Sequence, residues 1–252
     1  MTNDFKNMIR QVATQQHILI IIVIVLALLI SVVLWGRFEL NSFFYPTPPS
    51  MPPVVSETTE ELLAQFQTVL EKRAPEVLRS LQPGLSENQI FELEKKGGFT
   101  LSADLHALYR WRNGSKGYQK VLIPVHRFVP LEEVVANRIA VENDIKKSTF
   151  VQRAFGYIFA GHMKTWVHIL DDSCGDGYFY DPDRAGSSGV FFYHSMEGMY
   201  YVFFPSLQNF LKGAIKCYEQ GIFIVKDEGA NLDEDYERAT KVWNRLGCST
   251  SQ

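Results

Sequence analysis

The most acidic stretch of the chain, DDSCGDGYFYDPD at residues 171–183, has the residue types of a cation site or of a protein-binding surface. Counted from Asp172, acids stand at positions one, five and twelve and Gly177 stands at position six, as in a calcium loop. However, position three is Cys174, a poor ligand for a hard cation, and the flanks look like strands rather than helices. We therefore predict no metal site, and an exposed acidic turn that contacts a basic partner protein through Asp171, Asp172, Asp176, Asp181 and Asp183.

Hydrolase chemistry is an alternative use of the same stretch. Cys174 would be the nucleophile, a histidine the base, and Asp171 or Asp172 the group that orients it, provided that these residues meet in space. No spacing motif links the nearby histidines, which are His162, His168 and His194. The ring of His168 alternates with apolar residues of a predicted strand and is expected to face solvent. The sequence favours a non-enzymatic protein without a cofactor.

The three cysteines lie far apart and form no CxxC pair, which argues against a zinc site. Cys217 lies on the apolar face of a predicted helix and is expected to be a core thiol. Pairing of Cys174 with Cys248 in an oxidising compartment is left open by the sequence. The net charge of -3 offers no polybasic surface for nucleic acid.

Residues 18–36 are predicted to form a transmembrane helix. The run ILIIIVIVLALLISVVLW contains a single polar residue, Ser31, and its 18 residues would reach about 27 Å as a helix, close to the thickness of the hydrocarbon core. Trp35 and Arg37 are typical interfacial anchors. A cleaved signal peptide is disfavoured because the apolar run is long and no A-x-A-like cleavage site follows it.

An N-terminal tail, residues 1–17, precedes this helix, and a proline-rich linker, residues 37–56, follows it. The linker contains YPTPPSMPP, a composition typical of extended, semi-rigid spacers. Lys6 and Arg10 precede the span and only Arg37 follows it closely, so the positive-inside rule favours a cytoplasmic N-terminus. The C-terminal domain is then expected outside the cytoplasm.

The rest of the chain is predicted to be one α+β domain in which helices flank an antiparallel β-meander. Capping boxes begin helices at Thr58 and Ser86, Pro75 begins a short helix, and Ser102 caps a fourth. Helices are also expected over LEEVVANRIAVENDIKK, SLQNFLKGAIKCYEQG and residues 233–246. Strands are expected in the runs QKVLIP, HRFVP, WVHILDD, GYFYDPD, GVFFYHS and YYVFFPS.

The segment LHALYRWRNG, residues 105–114, places two large aromatic residues at a predicted helix end. Tyr109 and Trp111 are expected to pack this end against the sheet. Asn113 and Gly114 are expected to end the helix through a left-handed residue and to reverse the chain into the first strand.

The order of these motifs resembles the SUKH superfamily, whose domains are named after a fungal cell-wall-assembly regulator of the Smi/Knr type. The family pattern G-x-x-L-P-x-D-L-x-x-L-Y-x-x-x-N-G reads here as GFTLSADLHALYRWRNG, and PLEEV follows it in the expected order. Ser102 replaces the common proline, and serine caps a helix as well as proline starts one. The signature residues are expected to be structural; they are Leu105, Tyr109, Trp111, Asn113 and Gly114.

The resemblance covers residues 57–247 and leaves residues 248–252 as a C-terminal tail. It implies a module that binds another protein, and many bacterial members are immunity proteins that neutralise a cognate toxin. Other members are adaptors or regulators, so a non-catalytic scaffold of cell-envelope or cell-wall assembly is the first alternative. The Cys/His hydrolase is the second.

A topology reporter fused to the C-terminus of the full-length protein tests the predicted orientation. We expect an extracytoplasmic signal, because two basic residues precede the span and one follows it closely. The same reporter at the N-terminus is the control and should read cytoplasmic. A cytoplasmic signal from the C-terminal fusion would contradict the orientation.

Overall fold

The computed structural model describes residues 55–147, 166–181, 189–194, 199–226 and 231–248. The predicted tail and transmembrane helix lie outside these residues, as do most of the linker, His162 and Asp183. None of the helices that the structure describes is long and apolar enough to cross a membrane. The transmembrane helix at 18–36 therefore remains a prediction from the sequence.

The described residues form seven helices, and local capping residues begin several of them. Thr58 and Ser86 make complete capping boxes and Ser102 caps its helix, all as predicted. Ser206 likewise accepts a hydrogen bond from the third residue of its helix, and Gly98 ends a helix in the left-handed conformation. The helices are α1 Thr59–Arg73, α2 Pro75–Ser80, α3 Glu87–Gly97, α4 Ala103–Trp111, α5 Leu131–Lys147, α6 Leu207–Glu219 and α7 Tyr236–Arg245.

Nine strands are described in three antiparallel sheets, and the largest sheet is the predicted meander. Its five strands, β3 to β7, lie side by side in chain order. Two small sheets pair β1 with β2 and β8 with β9. The strands are β1 Leu81–Pro83, β2 Arg112–Ser115, β3 Arg127–Phe128, β4 Val167–Asp171, β5 Gly177–Asp181, β6 Gly189–His194, β7 Met199–Phe204, β8 Phe223–Val225 and β9 Leu232–Glu234.

The main core lies between the sheet and helices α1, α4 and α6, and it is rich in aromatic residues. Tyrosine hydroxyls inside it find partners, as buried polar groups must. The Tyr218 hydroxyl donates to the Leu122 carbonyl at 2.6 Å, and the Ser102 hydroxyl donates to the Tyr180 oxygen at 2.9 Å. The fold class α+β is therefore confirmed for the described residues.

Four short strands were not predicted, and one predicted strand is wrong. Strands β1, β8 and β9 have three residues each and β2 has four, too few for a visible period-two pattern. QKVLIP forms no strand; its Ile123 makes an isolated bridge to His126 across a tight turn at residues 123–126. The last helix begins at Tyr236, because residues 232–234 pair as β9 and Asp235 caps the helix.

The end of α4 also differs from the prediction. The helix stops at Trp111, Arg112 is already extended, and Asn113 and Gly114 lie within β2, where Gly114 has a φ of 78°. The Tyr109 ring stacks on Phe128 of β3 with 5.4 Å between the ring centroids, so its packing on the sheet is confirmed.

Trp111 stacks on a residue of helix α1. Its ring stacks on Phe66 of α1 with 5.5 Å between the centroids, and its Nε1 donates to the Gln67 side chain at 3.1 Å. The position of Trp111 at the last turn of α4 thus turns the indole toward α1.

The buried side chain of Asn113 caps a helix that begins 18 residues later in the chain. Its Oδ1 accepts from the Leu131 backbone N–H at 3.0 Å, and its Nδ2 donates to the Glu132 carboxylate at 2.8 Å. Gly114 lies against Pro130, where a Cβ would stand 2.5 Å from the Pro130 nitrogen. These two residues thus fix where α5 begins relative to β2.

Asn113→Ala should lower the free energy of unfolding by about 1–3 kcal/mol, because it leaves the buried Leu131 N–H without an acceptor. Ser86→Ala, which removes an exposed cap, should cost about 1 kcal/mol or less and serves as the matched control. Urea denaturation of both variants provides the comparison. A smaller loss for Asn113→Ala than for Ser86→Ala would contradict this role of Asn113.

Candidate functional site

The acidic turn, residues 171–176, joins β4 to β5 and is held by one of its own aspartates. The Asp172 Oδ1 accepts from the backbone N–H of Cys174 at 2.8 Å and of Asp176 at 3.0 Å. Ser173 adopts a φ of 66° inside the turn, and Cys174 is exposed at its tip. The turn is therefore a defined structure rather than a loose loop.

Asp171 forms a buried ion pair at the base of this turn. Arg127 of β3, 3% exposed in its side chain, donates to the two Asp171 oxygens at 3.1 and 2.8 Å and to Glu133 of α5 at 2.6 Å. The ring of Tyr118 lies 4.2 Å from the guanidinium carbon. Burial opposes the charge, but the hydrogen bonds that Arg127 donates to Glu133 and Asp171 outweigh it and hold the pKa of Arg127 above its usual value.

The acidic surface is smaller than the sequence indicated. Asp171 and Asp181 are buried, and Asp183 lies outside the described residues. Asp172 and Asp176 are half-buried, and the Asp176 carboxylate lies 2.9 Å from the Nδ1 of His194. The expectation of five exposed carboxylates was wrong because two of them belong to the sheet interior. Contact of the remaining ones with a partner protein stays a prediction.

His168 does not face solvent as expected. Its ring stacks on Phe179 with 4.2 Å between the centroids, and its Nε2 is buried with no hydrogen-bond partner in the described part of the chain. This burial lowers the pKa of His168 to about 4. Trp166 and Phe191 are also buried, in a second cluster outside the main core. Both faces of the sheet are therefore covered, and the alternation of His168 with apolar residues along β4 does not mean that its ring faces solvent.

The arrangement for a Cys174 hydrolase is not found among the described residues. No histidine nitrogen there is hydrogen-bonded to the Cys174 thiol, and none of the three cysteines forms a disulfide. Cys217 is a core thiol, as predicted, and burial raises its pKa to about 12. The described residues also include no group of three or more His, Cys, Asp or Glu side chains suited to a metal ion.

A groove that the sequence did not indicate lies beside the acidic turn. We name it the His126 groove; it has a cavity volume of about 170 Å³ and lies between the residue 123–126 turn, the sheet, the β8–β9 hairpin and α7. Most of its walls are apolar or aromatic, and its polar lining includes His126, Glu234 and Thr240. The apolar and aromatic lining residues are Ile123, Pro124, Val125, Tyr178, Phe204, Phe223, Tyr236, Ala239 and Trp243.

Two exposed side chains line this groove, and one of them, Val125, has a strained backbone. Val125 has a φ of 70°, a conformation that β-branched residues rarely adopt and that costs about 1–3 kcal/mol. Its side chain is 66% exposed, and Tyr236 on α7 is 73% exposed. Strained backbone is found at binding sites more often than elsewhere, so the turn at residues 123–126 is a candidate binding element.

His126 joins the groove to the acidic turn. Its Nδ1 lies 2.9 Å from the Pro124 carbonyl and so carries the proton, which leaves Nε2 as an acceptor without a partner among the described residues. Its ring contacts Tyr178 edge-on at 5.1 Å. Burial lowers the pKa of His126, against the opposing effects of the Pro124 carbonyl and the charges of Asp172 and its neighbours in the turn.

Glu234 is the acidic member of the groove. It is half-buried, and no cation pairs with its carboxylate in the part of the chain that the structure describes. Burial and the nearby charge of Asp233 raise its pKa. No local sequence signal could identify this groove, because its walls come from residues 123–126 and from residues about 100 positions later.

The helices, the five-stranded meander and the Asn113 cap define an α+β domain of the type that the sequence resembled. The chain belongs to the SMI1/KNR4 family (SUKH-1), whose family model matches residues 84–213. No curated protein matches the chain significantly. The match includes the acidic turn but ends within α6. Phe223 of β8, Glu234 of β9 and the residues of α7 that line the groove therefore lie beyond the matched region.

Replacement of His168 should reduce the loss of stability in acid. The unfolded state binds a proton at His168 near pH 6.5, whereas the folded state binds it only near pH 4, so stability falls as pH decreases through this window. His168→Phe keeps a ring to stack on Phe179 and should flatten the decline between pH 6.5 and 4 in urea denaturation.

His168→Gln is the matched variant, because it also removes the titrating group but places no aromatic ring against Phe179. Both variants should show a shallower dependence on pH than the wild type. An unchanged slope in both would contradict the buried, neutral state of His168.

Proposed function

We propose that this protein is a non-catalytic interaction module, attached to a membrane through residues 18–36, that binds and neutralises a cognate toxin as an immunity protein. The observation that carries the proposal is the position of the acidic turn beside the His126 groove, with exposed apolar residues at its rim. Membership of the SMI1/KNR4 family is compatible with such a role.

The mechanism is occlusion of the partner's active surface, without bond chemistry. Val125 and Tyr236, two exposed side chains that line the groove, supply apolar area that becomes buried in a complex. Asp172 and Asp176 place negative charge beside them, which favours approach of a basic surface and raises the association rate at low salt. Central aromatic contacts and peripheral charges are the usual division of labour in protein interfaces.

The predicted anchor and linker support a location at the membrane, with the domain on the extracytoplasmic side. A proline-rich spacer would hold the domain away from the lipid surface, so that the groove stays accessible. The same anchor favours the second candidate, a scaffold or regulator of cell-envelope or cell-wall assembly, which would use the same binding face for a resident protein. The hydrolase has no comparable support in the described residues.

Removing the charge of Asp172 should weaken partner binding without unfolding the turn. Asp172→Asn keeps an oxygen that accepts from the backbone of Cys174 and Asp176, so stability should change little. We expect roughly three- to tenfold less partner in a quantitative pull-down from native membranes, with a larger effect at low salt. Partners are identified by mass spectrometry.

Glu92→Gln is the matched control, because Glu92 is an exposed carboxylate on α3, outside the lining of the groove. Its partner recovery should equal that of the wild type. Equal recovery by Asp172→Asn would contradict the binding role of the acidic turn. A toxin-like partner at equal stoichiometry supports immunity, envelope-assembly partners alone favour the scaffold, and capture of no stable partner contradicts both.

A further inference from the structure

The His126 groove combines aromatic walls with an acidic group, Glu234, that has no counter-charge among the described residues. Tyr178, Phe223 and Trp243 line the groove together with Glu234. The described lining residues include no lysine and no arginine. Half-burial of a carboxylate without a cation is unfavourable, and a cation supplied from outside would relieve it.

The cations closest in sequence already have partners. Lys226 pairs with Asp233 at 2.8 Å, and Arg238 donates to the Gln220 carbonyl at 2.9 Å. Among the described residues of its own hairpin and of α7, Glu234 therefore has no ion pair, and its carboxylate is available to a ligand.

The lining of the groove matches a guanidinium better than an apolar group. Aromatic faces attract cations, and a planar guanidinium both stacks on such faces and forms paired hydrogen bonds with a carboxylate. His126 adds an acceptor nitrogen without a partner in the described residues. An apolar occupant would leave both Glu234 and His126 without donors, which costs binding energy.

The size and surroundings of the groove fit one side chain of a protein. A volume of about 170 Å³ is close to that of engineered cavities, on the order of 150 Å³, which hold a single benzene-sized group. The half-buried carboxylates of Asp172 and Asp176 extend the negative charge beside the groove, where they would favour the approach of a basic segment.

We infer that the His126 groove binds an arginine side chain from a basic segment of the partner protein. This inference deepens the proposed function and rests on it for the identity of the partner. It assigns Glu234 as the main ligand for the guanidinium and the aromatic residues of the groove, including Trp243, as the walls around the side chain.

The test uses full-length protein in detergent with ¹⁵N-labelled tryptophan, which gives four indole signals in nuclear magnetic resonance spectra. Trp243→Phe assigns the signal of Trp243. N-acetyl-arginine amide, added at millimolar concentrations, should shift this signal in a saturable way. N-acetyl-citrulline amide, which is nearly the same shape but uncharged, should bind at least about tenfold more weakly, as should N-acetyl-leucine amide.

Glu234→Gln should remove the preference for arginine over citrulline. Glu237→Gln is the matched control, because Glu237 is an exposed carboxylate of α7 that pairs with Lys241 and does not line the groove. It should bind arginine amide as the wild type does. The inference would be overturned by no saturable shift of Trp243, by equal binding of arginine and citrulline or leucine amides, or by an unchanged arginine preference in Glu234→Gln.

The outcomes separate this inference from the proposed function. Arginine amide binding at Trp243, with no partner captured from the membrane, would support the groove and contradict the proposed function. A captured partner whose binding is unaffected by Glu234→Gln, together with no arginine amide binding, would overturn the groove assignment and leave the interaction module standing.

Discussion

The buried ion pair between Arg127 and Asp171 is the interaction on which the binding face depends. These residues stand opposite each other in the β3–β4 ladder, so their neighbours His126 and Asp172 are also held close together. Loss of one partner from a pair this deeply buried costs about 3–5 kcal/mol, a large part of the 5–15 kcal/mol that stabilises a typical domain. The pair thus fixes the groove beside the acidic turn.

Helix α5 is tied to the same place by two independent contacts. Glu133 in its first turn completes the ion pair of Arg127, and Asn113 caps its N-terminus from β2. A motif that reads as a helix end in the sequence therefore acts as a link between β2 and α5. The family signature residues Tyr109 and Asn113 make structural contacts in this chain. The exposed side chains that could contact a partner lie in the acidic turn and at the His126 groove.

The sequence predicted the parts of the fold that depend on neighbours in the chain. Caps at Thr58, Ser86 and Ser102 act within three residues, and the aromatic strands of the meander have clear turn residues between them. It failed where distant segments decide the outcome. Asn113 bonds to Leu131, and His168 is buried because both faces of its strand pack against other residues.

The His126 groove is a site that local sequence patterns could not reveal. Residues 123–126 and α7 meet only in the folded chain, so no spacing within either segment indicates a shared site. Conversely, the five aspartates looked like one surface because they are adjacent in sequence. The pleat of the strands and the buried guanidinium direct two of them inward and leave a narrower acidic turn beside the groove.

The central claim is that a partner protein binds the face formed by the acidic turn and the His126 groove. Hydrogen–deuterium exchange of the full-length protein, alone and in complex with its captured partner, tests it most directly. The account predicts slower exchange on binding in residues 122–128, 171–177 and 232–243, with little change in α3. Protection confined to α3 and α1, with those three segments unchanged, would contradict it.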